Sequence, residues 1–102
     1  MSAYRLTEAA EADLVGIFDY TERQRGSAQA HRYLSQLSQC AGALAREWEQ
    51  MGNSLKGYRG LRRLHCQHHY LFAVKHNDQP ISIVAVLYER MDLMARLAER
   101  LG

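Results

Sequence analysis

The sequence has 102 residues, of which 47% are hydrophobic and 24% charged, with a single proline and a net charge of +2. This composition predicts one folded domain over residues 1 to 102 and excludes a low-complexity or linker-rich chain. No apolar run approaches the roughly 20 residues of a membrane span, and the N-terminus lacks the basic-then-apolar order of a signal peptide. We therefore expect a cytoplasmic protein.

The charges are distributed unevenly along the chain. Residues 55 to 76 contain five Lys or Arg and four of the five histidines, and they contain no Asp or Glu. The flanking regions instead carry more acidic than basic side chains. This segregation predicts one positive face, which would attract a polyanion or an acidic protein segment.

The first half of the chain predicts a short strand followed by two antiparallel helices. The run AYRL at residues 3 to 6 precedes Thr7, whose side chain can cap a helix that continues to about Gln24. Gly26 ends that helix, and Ser27 can cap the second. Apolar residues recur at three- and four-residue steps in both helices, at Ala10, Leu14, Ile17 and Phe18 in the first and at Tyr33, Leu37, Leu44 and Trp48 in the second.

The second half predicts a loop, three strands and a final helix. Gly52, Asn53 and Gly57 interrupt the helical pattern, and strands follow at about 61 to 67, 69 to 76 and 81 to 88. Asp92 can cap a helix from Leu93 to Leu101. The order β-α-α-β-β-β-α predicts an α+β fold, with a helical hairpin against a small, mainly antiparallel sheet.

Cysteine and histidine residues suggest a metal site only superficially. Cys40 and Cys66 lie on a predicted helix and a predicted strand, outside any C-x-x-C pair, so we expect free thiols. In the segment HCQHH, strand alternation would place His65, Gln67 and His69 on one face of the sheet and Cys66 and His68 on the opposite face. Neither face then gathers three ligands, and we expect no metal and no cofactor.

Four sequence segments, in this order along the chain, resemble the ParE/RelE superfamily of toxins from bacterial toxin–antitoxin pairs, and especially its ParE branch. They are YRLTEAAEADLVGIFDYT at 4 to 21, GLRRL at 60 to 64, HYLFAV at 69 to 74 and VLYERMDL at 86 to 93. The chain departs from the family where Glu8 replaces a frequent proline and Tyr88 a frequent histidine. It also lacks an Asn-Pro step near Glu49 and Gln50.

The resemblance implies a cytoplasmic toxin that is neutralised by the C-terminal segment of a cognate antitoxin, which is typically acidic and apolar. ParE-like members inhibit DNA gyrase by protein–protein contact, whereas RelE-like members cut mRNA on the ribosome. A third possibility is a non-toxic module that only binds an antitoxin. Fold alone does not separate these functions. The ParE-like sequence segments favour gyrase inhibition. A protein that inhibits gyrase by contact is not an enzyme.

Candidate site residues follow from these hypotheses. For partner binding we expect Arg59, Arg62, Arg63, Arg90, Leu93 and Leu97. Arg90 is the strongest candidate, because it belongs to the ParE-like segment ERMD. Arg90 could instead form a structural salt bridge with Asp92, Glu89 or the first helix, and Leu93 and Leu97 could instead cover the sheet. A metal-independent endonuclease would need a base, an acid and cations, for which the candidates are Arg62, His69, Tyr88 and Arg90.

Overall fold

A computed structural model describes residues 3–102, and it contains three helices and five strands within that range. In chain order they are β1 (Tyr4–Leu6), α1 (Glu8–Arg25), α2 (Ser27–Arg46), β2 (Asn53–Ser54), β3 (Leu61–Cys66), β4 (His69–Val74), β5 (Ile81–Tyr88) and α3 (Leu93–Leu101). The predicted α+β fold and the order of its main elements are confirmed. The two-residue β2 was missed, because the loop residues around Gly52 carry no strand pattern.

The five strands form one sheet in the order β1-β5-β4-β3-β2. β1 runs parallel to β5 and pairs Tyr4 with Ile81, while the other neighbours are antiparallel. A β-bulge interrupts the β4–β5 register between Phe72 and Ala73. β5 is an interior strand, between β1 and β4, and the most apolar of the five; the site described below lies at its carboxyl end.

The helical hairpin begins and turns at the expected residues. The Thr7 hydroxyl accepts a hydrogen bond from the Ala10 amide at 3.1 Å, as predicted for an N-cap. Gly26 has φ = +90°, a conformation that favours glycine, and it both ends α1 and caps α2. The prediction that Ser27 caps α2 is wrong, since Ser27 is already the first helical residue and makes no cap bond.

One face of the sheet, here called the hairpin face, packs against α1 and α2. Its core is built from apolar residues of the second helix and of alternate strand positions, including Leu37, Ala41, Leu44, Leu71, Ile81, Ile83 and Val86. The opposite face, here called the α3 face, is covered by the last helix. Its core includes Leu61, Phe72, Val84, Ala85, Leu87 and Leu97.

The turn between β3 and β4 corrects one prediction. β3 ends at Cys66, and the chain reverses over Gln67, which has φ = +56°, and His68. Because the reversal interrupts strand alternation, His65 lies against Tyr70 on the α3 face while His69 contacts Tyr33 on the hairpin face. The expectation that His65 and His69 share a face is therefore wrong.

The two cysteines are not free. Cys40 of α2 and Cys66 of β3 form a disulfide that closes a sequence separation of 26 residues. The prediction of two thiols failed because it used only the absence of a C-x-x-C pair. The fold brings the second helix over the end of β3, so residues distant in sequence meet there.

Candidate functional site

The arginines of the basic segment do not share one face. Arg62 lies on the hairpin face, where its guanidinium stacks over the Trp48 ring at 5.3 Å and donates to the Met51 carbonyl at 3.3 Å. Glu49 also approaches it, at 3.9 Å. These contacts hold Arg62 against the chain that follows α2.

Arg63 points to the α3 face, as strand alternation requires. Its guanidinium lies over the Tyr70 ring at 5.0 Å, and its Nε is buried without a hydrogen-bond partner among residues 3–102. The prediction that neighbouring Arg62 and Arg63 face opposite sides is therefore confirmed.

Arg59 and Arg90 lie near opposite ends of the sheet. Arg59 is exposed just before β3, whereas Arg90 follows the carboxyl end of β5, beside the far end of β3. The length of β3 alone separates these ends by about 17 Å. The single positive face predicted from residues 55 to 76 is therefore not formed, because Arg62 and Arg63 point to opposite sides of the sheet, and the four arginines proposed for partner binding do not share one surface.

Arg90, like Arg59, is a predicted site residue that is exposed and has no side-chain partner among residues 3–102. It makes no side-chain hydrogen bond or ion pair with any of residues 3–102, so the salt bridge considered as its structural role is not formed there. It lies between Glu89, which is held by two histidines, and Asp92, which accepts a hydrogen bond from the Ala95 amide at 3.2 Å and caps α3 as predicted. The backbone on both sides of Arg90 is therefore anchored.

Arg90 also lines an open groove of about 920 Å³ between α1 and the carboxyl end of β5, here called the α1–β5 groove. Small residues of α1, Ala12 and Gly16, leave room along one wall, and Tyr20 is exposed at 61%. The opposite wall is formed by the β3–β4 turn and the end of β5, from His68 and His69 to residues 86–91.

Glu89 fastens the end of β5 to the β3–β4 turn. Its carboxylate oxygens lie 2.7 Å from His65 Nε2 and 3.1 Å from His68 Nδ1, and its amide donates to the His68 carbonyl at 2.9 Å. The hydrogen bonds from His68 and His65 lower the pKa of the Glu89 carboxyl below its usual value. Glu89 thus points to the side of the sheet opposite to Tyr88, as strand alternation requires, but no sequence signal indicated its two histidine partners.

Tyr33 and His69 form a second polar contact, on the hairpin face. The Tyr33 hydroxyl accepts from the His68 amide at 3.1 Å and lies 2.6 Å from His69 Nδ1. Burial lowers the pKa of His69, so the ring is neutral at pH 7 and its Nδ1 can accept a hydrogen bond from the Tyr33 hydroxyl. Burial likewise raises the pKa of the Tyr33 hydroxyl.

The four residues expected for RNA cleavage are only partly brought together. His69 pairs with Tyr88 across the strands, their rings 5.5 Å apart, and Arg90 follows two residues later. Arg62 pairs with Ala73 instead, four positions along β3 from the partner of His69, which corresponds to about 13 Å. His69 Nδ1 is already engaged by Tyr33, and Glu89 by its histidines. These contacts stabilise the sheet. They do not bring all four residues together around one phosphate.

An ion pair that the sequence analysis missed lies beside the same groove. Asp13 of α1 accepts from the Arg100 guanidinium of α3 at 2.9 and 3.0 Å, and from the Val86 amide at 2.9 Å. Arg100 also donates to the Val84 carbonyl at 2.9 Å. Since β1 pairs only with Ile81–Ile83, these side chains satisfy the part of the β5 edge that β1 leaves open. The signal was an acidic residue within the apolar stripe of α1.

The two leucines proposed for partner binding cover the sheet. Leu97 is 0% exposed and Leu93 partly buried, both on the α3 face. A partner could reach Leu97 only if α3 moved. Met91, Met94 and Leu101 are the large apolar side chains that the α3 region exposes.

Further properties limit what the site can contain. Among the described residues, no group of three or more His, Cys, Asp or Glu side chains is arranged to hold a metal ion. No helix in residues 3–102 has both the length and the apolar character needed to cross a membrane.

The state of His69 predicts how stability depends on pH. Its pKa is lower in the folded chain than its ordinary value of 6.5, so the unfolded chain binds the proton first as the pH falls. The free energy of unfolding should therefore keep its full value above about pH 6.5 and decrease as the pH falls below it. Urea unfolding between pH 7.5 and 5.0 measures this decrease.

The matched variant is His69→Asn, which keeps an acceptor near the Tyr33 hydroxyl but cannot titrate. Its pH dependence should be flatter than that of the wild type over the same interval. An equal slope in both proteins would show that other groups cause the decrease.

Comparison with solved structures identifies the class of fold. The chain superposes on a structure described as a chromosomal ParDE TA system from P. aeruginosa with a TM-score of 0.73, over 86% of this chain and 96% of that one. The sequences are 19% identical, so this similarity concerns the fold alone.

Sequence comparison then identifies the family. The family model for the ParE toxin of the type II toxin–antitoxin system, parDE, matches residues 4–93. The chain is 46% identical over 101 residues to Toxin ParE of Escherichia coli, covering 99% of this chain and 98% of that protein. It is 34% identical over 93 residues to Toxin ParE1 of Mycobacterium tuberculosis, covering 90% and 94%. The chain belongs to the ParE toxin family, and membership in such a system implies an antitoxin partner.

Proposed function

We propose that the protein is a cytoplasmic toxin that inhibits DNA gyrase by protein–protein contact, and that its cognate antitoxin silences it by covering the same surface. Inhibition by contact needs a shaped, exposed surface and no general acid or base. The observation that carries the proposal is Arg90, an exposed arginine with no side-chain partner among residues 3–102, held between two anchored neighbours beside the α1–β5 groove. Arginine is among the residues that most often dominate binding energy at protein interfaces.

The charge of the groove supports an acidic antitoxin segment. Asp13 is paired with Arg100, and the Glu89 carboxylate is hydrogen-bonded by two histidines, so both acidic side chains of the groove already have partners within the chain. Arg90 and Arg25 line the same groove without an ion-pair partner in the described part of the chain. The remaining charge is positive, and a disordered acidic segment could become ordered there, with its apolar side chains over Ala12 and Gly16.

The experiment that tests the proposal uses purified protein and gyrase with supercoiled plasmid and ATP. We expect cleaved or unrelaxed DNA only when both proteins are present, and recovery of gyrase activity on addition of the antitoxin. Codon-dependent cuts in mRNA on translating ribosomes, with gyrase unaffected, would instead establish the endonuclease. Binding of the antitoxin without any toxic effect on growth would leave a non-toxic binding module.

A further inference from the structure

The disulfide between α2 and β3 joins two elements that otherwise touch only through packing. We propose that Cys40 and Cys66 form a reversible redox staple, opened and closed by thiol–disulfide exchange with a low-molecular-weight couple such as glutathione. The staple then determines how firmly α2 is held on the sheet. In the cytoplasm most thiols are kept reduced, and disulfides that do form there are usually transient or redox-sensing.

The two sulfurs differ in access. Cys66 is 2% exposed and lies in the core of the hairpin face, whereas Cys40 is only partly buried on α2. A small thiol can therefore reach Cys40 without unfolding the sheet, and Cys66 becomes the leaving or resolving group.

The reduced protein also fits this fold. The Sγ of Cys66 lies 3.6 Å from the Gln36 carbonyl oxygen, so the thiol formed on reduction has an acceptor at hand. A buried cysteine otherwise behaves as a small apolar residue, and Cys66 lies among the apolar residues of the hairpin-face core. Both redox states are thus compatible with one structure, as a switch requires.

The exchange balances in two steps. In the first, the Cys40 thiolate attacks one sulfur of glutathione disulfide, which forms a mixed disulfide at Cys40 and releases one glutathione thiolate. In the second, the Cys66 thiolate attacks the Cys40 sulfur and releases the second glutathione. Two protein thiols are oxidised and one glutathione disulfide is reduced to two thiols, and excess glutathione reverses both steps.

The disulfide also helps to hold α2 against the β3–β4 turn, which forms one wall of the α1–β5 groove. Tyr33, seven residues before Cys40 on the same face of α2, is bonded to the His68 amide and to His69. The disulfide and Tyr33 therefore anchor α2 to both sides of the β3–β4 turn. Loss of the disulfide leaves Tyr33 and the weak contact of the Cys66 thiol with the Gln36 carbonyl as polar contacts between α2 and this end of the sheet, so local opening of α2 becomes easier.

The first test compares one protein in two redox states. Protein equilibrated with glutathione disulfide should have an intact mass two hydrogens below that of protein treated with dithiothreitol. Its melting temperature should be higher by roughly 10 °C. Hydrogen exchange in α2 should rise on reduction. Equal melting temperatures, or a disulfide that resists excess glutathione in the folded protein, would overturn the proposal.

The second test traps the intermediate. With glutathione disulfide, the Cys66→Ala variant should carry one glutathione at Cys40, whereas the Cys40→Ala variant should remain unmodified while folded. Cys40→Ser, at the partly exposed position, should melt like the reduced wild type and should not respond to dithiothreitol. Modification of Cys66 at an equal rate in the Cys40→Ala variant would contradict the assigned order of attack.

Discussion

Replacing Arg90 by alanine is expected to raise the concentration needed for half-inhibition of gyrase at least about tenfold, which corresponds to about 1.4 kcal/mol of binding free energy. The effect should be confined to binding, because the side chain makes no hydrogen bond or ion pair within residues 3–102 whose loss would destabilise the fold. A gyrase supercoiling assay over a range of toxin concentrations measures the change, and thermal unfolding should give an unchanged midpoint.

Two further variants make the result specific. Arg5→Ala removes another exposed arginine, from β1, which begins at the opposite end of β5, and should leave inhibition unchanged. Arg90→Lys keeps the charge but loses the planar, multiply donating guanidinium, so an intermediate effect is expected if geometry matters. Full inhibition by Arg90→Ala would remove Arg90 from the proposed surface.

Replacing Asp13 by alanine should lower the free energy of unfolding by about 2–3 kcal/mol. The change removes the acceptor of both the Arg100 guanidinium and the Val86 amide. Because these donors are partly buried, water can replace the lost hydrogen bonds only in part. The hydrogen bonds to Asp13 raise the pKa of Arg100, so the guanidinium stays charged and must be left unpaired. Urea unfolding at pH 7 measures the loss.

The control on the same helix is Asp19→Ala, since Asp19 is exposed and outside the groove lining. Its effect should be within about 0.5 kcal/mol of zero. A double variant of Asp13 and Arg100 should be less destabilised than the sum of the single variants, because the second substitution removes a charge that the first left unpaired. Additive losses would mean that the pair does not act as a unit.

Local signals in the sequence were enough to predict most of the fold. Thr7 and Asp92 cap their helices as expected, Gly26 turns the hairpin, and the apolar run at 81 to 88 forms an interior strand of the sheet. Each of these depends on neighbouring residues only, so spacing and side-chain type suffice. Where a turn broke the pattern, at Gln67, the assignment of faces to the histidines failed.

The site was less predictable because its contacts join distant parts of the chain. Glu89 meets His65 and His68 across a sheet, Asp13 meets Arg100 between the first and last helices, and Cys40 meets Cys66. None of these pairs has a characteristic spacing. Charge counting likewise predicted a single positive face, although adjacent strand residues such as Arg62 and Arg63 must point to opposite sides.

The pairing of β1 with β5 also has a consequence for biosynthesis. Tyr4 is made well before its strand partner Ile81, which lies 77 residues later in the chain. The hairpin of α1 and α2 can form early from local contacts, but the β1–β5 edge of the sheet can form only after Ile81–Ile83 have been made. Arg90 follows those residues, so both the sheet edge and the carboxyl end of β5 are completed after the helical hairpin.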